Sequence, residues 1–231
     1  MGTDRSRETF LPLVPLPDVV HFPRTELRLH VSEPRYRRLI HDLVEREDAE
    51  SWIGIVLLKP GWVQSYEGRP DVFPEGTAGR LLDVDVLADG SANVVLYGDF
   101  RFELEREVDH GEPYRRALVR PVEEPWLNEK DAGITLVRSS ILEHLDRLAS
   151  ELGERFPLRR EEEELDAETP FEELVNRIAA EIDVPAVRKL QLLHEPLPER
   201  GLSILSILRS RMQVVDALRP YRHLAGRSEL N

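Results

Sequence analysis

Three lysines, seven histidines and no cysteine make up the reactive inventory of this 231-residue chain. Without cysteine there is no disulfide, no thiolate nucleophile and no Cys-ligated zinc. A Ser-Lys peptidase dyad needs a lysine withdrawn from water. Lys59 stands beside Pro60 at a strand end, Lys130 at a helix start and Lys189 on an acid-rich helix, all places that suit a solvated ammonium. ATP hydrolysis on a P-loop needs Gly-Lys at the end of the phosphate cradle, and no Gly-Lys pair occurs. Gly201-Leu202-Ser203 begins like a nucleophile elbow, but position 205 is Leu and the segment has helical spacing. The histidines at 21, 30, 41, 110, 144, 194 and 223 make no His-Glu-x-x-His or comparable ligand spacing. Asp83 and Asp85 share a strand face, a spacing that would serve acid-base work, yet Leu82, Val84 and Val86 already supply the buried side, so the acids read as a solvent face. The expectation is a protein with no catalytic residue, no metal and no cofactor.

Binding is better served. Residues 59–75 form a 17-residue connection between a strand ending at Leu58 and one starting near Gly76. Connections longer than roughly 12 to 15 residues without structure of their own are uncommon and often functional. This one carries Trp62, Tyr66 and Phe73 among Pro60, Pro70 and Pro74. Aromatic rings on a proline-stiffened loop lose little entropy on gripping a partner, which suits a peptide- or protein-binding surface. The alternative is that the rings fold back over a barrel end. Phe22, beside Pro23, either joins the same surface or belongs to the core.

Charge narrows the partner. The net charge is -13, with 16 Lys and Arg against 24 Asp and Glu in residues 1–125 and 15 against 20 in the remainder. Neither half has the basic footprint that a phosphate backbone requires, which argues against nucleic acid. No run reaches the roughly 18 apolar residues of a membrane span. The start, MGTDRSRETF, has no apolar signal region, so a cytoplasmic location is expected.

Periodicity supplies the scaffold. Leu27, Leu29 and Val31 alternate with Glu26, Arg28 and His30 as one half-buried strand. Ser32 and Pro34 open a helix whose stripe is Tyr36, Leu39, Ile40, Leu43 and Val44. Trp52 to Leu58 reads as a central strand. Alternation from Thr77 to Leu87 leads through the Asp89-Gly90 hairpin signal into strands at 92–97, 100–105 and 115–121, about seven short strands in all and the pattern of a small barrel. Beyond Pro121 to Asn128 the period turns helical. Asn128 is placed to cap a helix through Ile134 to Leu152, and Thr169-Pro170-Phe171-Glu172 has the form of a capping box. Further helices start near Asp183 and after Pro198, the last ending near Arg219-Pro220. The acidic run Glu161–Glu164 belongs to a polar connection.

LPLVPLPDVVHFP from Leu11, the strand from Glu26 and SEPRYRRLI from Ser32 resemble the opening of the Lon protease amino-terminal domain. EGTAGRLLDVDVLADGSANVVLYGDFRFEL from Glu75, and Lys189 to Glu195 followed by Glu199-Arg200, are similar to later family elements in the same order. The chain departs from the family at Arg24-Thr25-Glu26, where a Gly and apolar residues usually follow Phe-Pro. The resemblance implies an α+β fold: a polar mobile tail at 1–9, a PUA-like β-barrel with one packed helix at 10–125, a helical bundle at 126–225 and a tail at 226–231. It also implies the stand-alone bacterial type, without ATPase or peptidase domains. Such a module is non-catalytic, binds protein or unfolded polypeptide, and serves as an adaptor or regulator in proteolysis or protein quality control. Rival readings are a hydrolase activity related to ATP-dependent proteases, RNA binding through the barrel, and a small-molecule pocket at the seam of barrel and bundle.

Overall fold

Residues 9–45, 52–66, 68–153 and 165–221 are described by the computed structural model. The tail expected at 226–231, Glu161–Glu164, and the tail expected at 1–9 except for Thr9, which begins the first strand, lie outside the described residues. Along the chain come β1 (Thr9–Leu16), β2 (Glu26–Val31), α1 (Pro34–Glu45), β3 (Trp52–Leu58), β4 (Val72–Val86), β5 (Ala92–Val108) and β6 (Arg115–Val122). The helices α2 (Ala132–Leu152), α3 (Phe171–Glu181), α4 (Ala186–His194) and α5 (Leu197–Leu218) follow. They form two compact units, Met1–Pro125 with Val184–His194, and Trp126–Asp183 with Glu195–Asn231. Val184–His194, which the sequence reading places with the later helices, thus packs in the first unit.

Six strands form one sheet in the order β2-β5-β4-β3-β1-β6, and β6 returns to pair with β5, which closes a barrel. β1 runs parallel to β3, and every other pair is antiparallel. The sequence reading gives seven strands because it breaks the chain near Gly98. The residues on both sides belong to the 17-residue β5. Against the 15-residue β4 the register shifts here, Ala78 facing Phe100 and Gly79 facing Gly98, which leaves Asp99 as an extra residue of β5. Bulges of this kind bend a strand without ending it, so β4 and β5 serve the barrel with one half and a projecting hairpin with the other. Gly90 turns that hairpin at φ 77°, a conformation that costs glycine nothing. β1 tolerates Pro12 and Pro15 because it pairs with β6 through Leu13 and with β3 from Leu13 onward. Each proline therefore lies where one edge of the strand has no ladder to break.

Two cores result. Leu11, Leu13, Val56, Ala78, Phe102, Ala117 and Val119 fill the barrel. Gly76 lets the Phe102 ring in, since a Cβ there would lie 2.4 Å from the Ile55 carbonyl oxygen and 2.7 Å from the ring. The second core lies under α1, where Tyr36, Leu39, Ile40 and Leu43 pack on Val14, Ile53, Val94 and Leu96. Val44, expected in the same stripe, is exposed. The helix opens at Glu33, not Ser32: the Glu33 carbonyl accepts from the Tyr36 and Arg37 amides, and Pro34 stands at the first helical position.

In the second unit the caps differ from expectation. Asp131, not Asn128, caps α2, its Oδ1 accepting from the Gly133 amide at 2.8 Å. The capping box before α3 does not form, because Thr169 Oγ1 is engaged with Asp166 and Pro170 is the cap residue. Glu129 Oε1 accepts from the Phe171 amide at 3.2 Å instead. Arg24, in the stretch that departs from the family, has φ 63°, a left-handed backbone that glycine would adopt without strain.

Candidate functional site

Because β4 begins at Val72, the connection after β3 is residues 59–71 rather than 59–75. Its base is stapled. The Lys59 amide donates to the Asp71 carbonyl at 2.9 Å. Arg115, nearly buried and paired with Glu107, donates from Nη1 to the Pro70 carbonyl at 2.8 Å. Gly61 at φ 91° starts a single 3-10 turn, Trp62–Ser65. That turn brings the rings of Trp62 and Tyr66 edge to face with centroids 5.3 Å apart.

Tyr66 is bolted to the start of α1. Its hydroxyl donates to Glu33 Oε1, and Arg35 lies over its ring at 5.1 Å and over that of Tyr36 at 4.9 Å. Arg35 also pairs with Glu33 at 2.8 Å. Burial, and then the adjoining Glu33 carboxylate, push the Tyr66 phenol above its ordinary value, and burial pushes Tyr36 up to about 12. Both phenols are therefore neutral over the physiological range, and this corner offers apolar rings with a compensated ion pair between them.

Glu33 and Tyr36 also line a cavity of about 90 Å³ between α1 and the sheet, together with Leu16, Leu29, Ile53 and Leu96. Liquid water takes about 30 Å³ per molecule and an apolar cavity of 150 Å³ holds benzene, so this one is sized for a branched aliphatic side chain. Glu33 thus belongs to both features, lining the cavity and accepting from the Tyr66 hydroxyl, so the Trp62–Tyr66 pair and the cavity share this residue at the start of α1. A second, shallower concavity of about 550 Å³ lies further along α1, lined by Arg37, His41, Val44 and Val86.

The other candidates fall elsewhere. Phe73 is half-buried and sits under the Lys59 ammonium at 5.9 Å, with no ring contact to Trp62 or Tyr66. Phe22 has no exposed surface, so of its two possible places the structure gives it the core, and it offers nothing to a partner. Glu33, Arg35 and the cavity escaped the sequence reading. The one sequence signal for them is Tyr66 itself, since a tyrosine on a binding loop needs a partner for its hydroxyl.

No reactive constellation accompanies these features. Ser203 lies inside α5, Asp83 and Asp85 are exposed, and among the described residues no group of three His, Asp or Glu side chains is placed to hold a metal. No helix among them is long and apolar enough to cross a membrane. The arrangement can bind apolar groups.

The model of the ATP-dependent protease La (Lon) substrate-binding domain matches residues 10–210. The Lon protease of Parabacteroides distasonis is 27 % identical over 221 residues, covering 93 % of this chain and 25 % of that protein. The Lon protease of Anaeromyxobacter dehalogenans is 28 % identical over 208 residues, 89 % of this chain and 24 % of its own length. The chain thus spans about a quarter of the length of these curated relatives. Among solved structures, a Lon N-terminal domain protein from Xanthomonas campestris superposes with a TM-score of 0.56 at 25 % identity, covering 86 % of this chain and 98 % of that one. The N-terminal domain of a Mycobacterium avium complex Lon protease gives 0.60 at 14 % identity over 87 % and 98 %, a likeness of fold alone.

Proposed function

The chain belongs to the Lon substrate-binding domain family, and from that membership we propose that it binds exposed apolar segments of unfolded polypeptide, using the Trp62–Tyr66 lip and the cavity beside it. The observation that carries the reading is an aromatic pair tied to Glu33, a residue that also lines an apolar cavity. The hydrogen bond from Tyr66 to Glu33 and the Arg35 guanidinium over its ring hold the aromatic pair in place before a partner arrives, so less entropy is lost on binding. Covering the remaining face of a half-exposed Trp is worth about 1 to 2 kcal/mol, and a side chain of Leu or Val size entering the cavity adds about as much. Such a site selects for apolarity rather than for one sequence.

The reading extends to a non-catalytic role in proteolysis, in which the protein holds polypeptides for a separate enzyme. The test is fluorescence anisotropy with a reduced, carboxymethylated polypeptide as the unfolded probe. Trp62→Ala is expected to weaken binding roughly tenfold while the melting temperature stays within a few degrees. Unchanged binding together with a large loss of stability would reduce the loop to a packed cover of the barrel. ATPase and casein-degradation assays on the same preparation are expected to be negative.

A further inference from the structure

We infer that the polypeptide binds in extended form as an added strand along the free edge of β2, with one branched aliphatic side chain inserted in the cavity under α1. The inference rests on the reading of the protein as a polypeptide binder and adds the mode and place of binding. In the sheet, β2 pairs only with β5, from Glu26 opposite Tyr97 to Val31 opposite Ala92. Among the described residues no strand pairs with its other side and no backbone hydrogen bond is made there, so alternate residues direct N–H and C=O groups to an edge without a ladder. The chemistry that satisfies such an edge is another extended backbone.

The cavity lies along this strand. Leu29 and Val31 of β2 line it, Leu16 of β1 stands across it, and Tyr36 of α1 roofs it. A strand added to β2 would place every second side chain on the face that Leu27, Leu29 and Val31 present, which is the cavity side. Backbone pairing supplies sequence-independent affinity, and the cavity supplies a preference for one aliphatic residue.

A second strand segment with one neighbour does not share these properties. Leu81–Val86 of β4 pairs only with β5, but its register slips between Leu81 and Asp83, and a bulge twists an edge away from partners. The register of β2 runs unbroken.

The experiment uses the full chain and a fluorescein-labelled ten-residue peptide of Thr and Ser with one central Leu. Two further versions are N-methylated at the odd or at the even positions. A strand turns its N–H groups alternately to its two sides. One methylated form is therefore expected to lose affinity roughly tenfold or more while the other binds nearly as the parent does. Replacing the central Leu by Ser is expected to weaken binding by roughly tenfold as well. Equal binding of all three backbone forms, or equal loss in both methylated forms, overturns strand addition while leaving the proposed function standing. Failure of the parent peptide and of the carboxymethylated polypeptide alike removes both readings. A dimer in sedimentation that the parent peptide splits assigns the edge to a second copy and overturns the inference.

Discussion

In the helical unit Arg200 has no exposed surface, donates to the Glu195 carbonyl at 2.9 Å and to Oδ1 of the fully buried Asn176 at 2.6 Å, and through Asn176 joins α5 to α3. The barrel unit has buried polar ties too, such as the Thr77 hydroxyl to the His21 carbonyl at 2.7 Å, but it also carries a polar corner at the surface. Glu33, Arg35 and Tyr66 satisfy one another at a half-exposed corner, while beside them a cavity stays open and the edge of β2 stays without a ladder. Buried polar groups that are fully paired specify one arrangement and leave nothing for a partner. A fixed polar corner around an open apolar site leaves the partner to complete the structure. The difference accords with the proposal that the first unit is the one that binds polypeptide.

The largest expected effect breaks the closed side of this comparison. Arg200→Met keeps the aliphatic stem but strands the Asn176 and Glu195 acceptors, and is expected to cost about 4 kcal/mol in urea unfolding. Polypeptide affinity of the folded fraction should not change. A cost below about 1 kcal/mol would show that Arg200 is not the tie described.

Next comes acid. His21 is buried, and burial holds its imidazole down to about 4, with only Nε2 bonded, to the Thr25 carbonyl. Between pH 6.5 and 4 the unfolded chain takes up a proton that the folded chain refuses, so stability falls as pH drops through that window. The loss is on the order of 3 kcal/mol. Urea midpoints at pH 7 and 4.5 measure it, and His21→Gln should flatten the dependence by removing the titrating ring.

Smaller effects sharpen the open side. Tyr66→Phe keeps the ring and removes its bond to Glu33. It is expected to cost less than about 1 kcal/mol of stability, yet to weaken polypeptide binding roughly threefold by freeing the lip. Arg24→Gly relieves a left-handed backbone that costs a side chain about 1 to 2 kcal/mol, partly offset by the greater freedom of unfolded glycine. A net gain of about 0.5 kcal/mol in chemical denaturation is expected, with binding unchanged.

Local pattern was a reliable guide wherever one residue's neighbours in sequence are its neighbours in space. Alternation in β2, the apolar run of β3 and Asp89-Gly90 at the hairpin all carry their structure in a few adjacent residues. Sequence reading failed where a distant group decides. Gly98 reads as a break but sits inside β5, where a bulge at the adjoining Asp99 absorbs the irregularity. The α3 amide is capped by Glu129, 42 residues away, so no local box can reveal it. The site was half legible for the same reason. Trp62 and Tyr66 stand out by type and by the prolines around them, but Glu33 lies 33 residues from Tyr66, and the cavity is made by α1, β1, β2, β3 and β5 together. Phe22 shows the converse, an aromatic beside a proline that tertiary burial removes from the surface.

Hydrogen–deuterium exchange of the full chain, with and without saturating carboxymethylated polypeptide, tests the division of labour most directly. The account predicts slowed exchange in Glu26–Val31, in the first turn of α1 and across Trp62–Tyr66, with α2, α3 and α5 unchanged. Protection confined to α2 and α5, with the β2 edge and the aromatic turn unaffected, would contradict it.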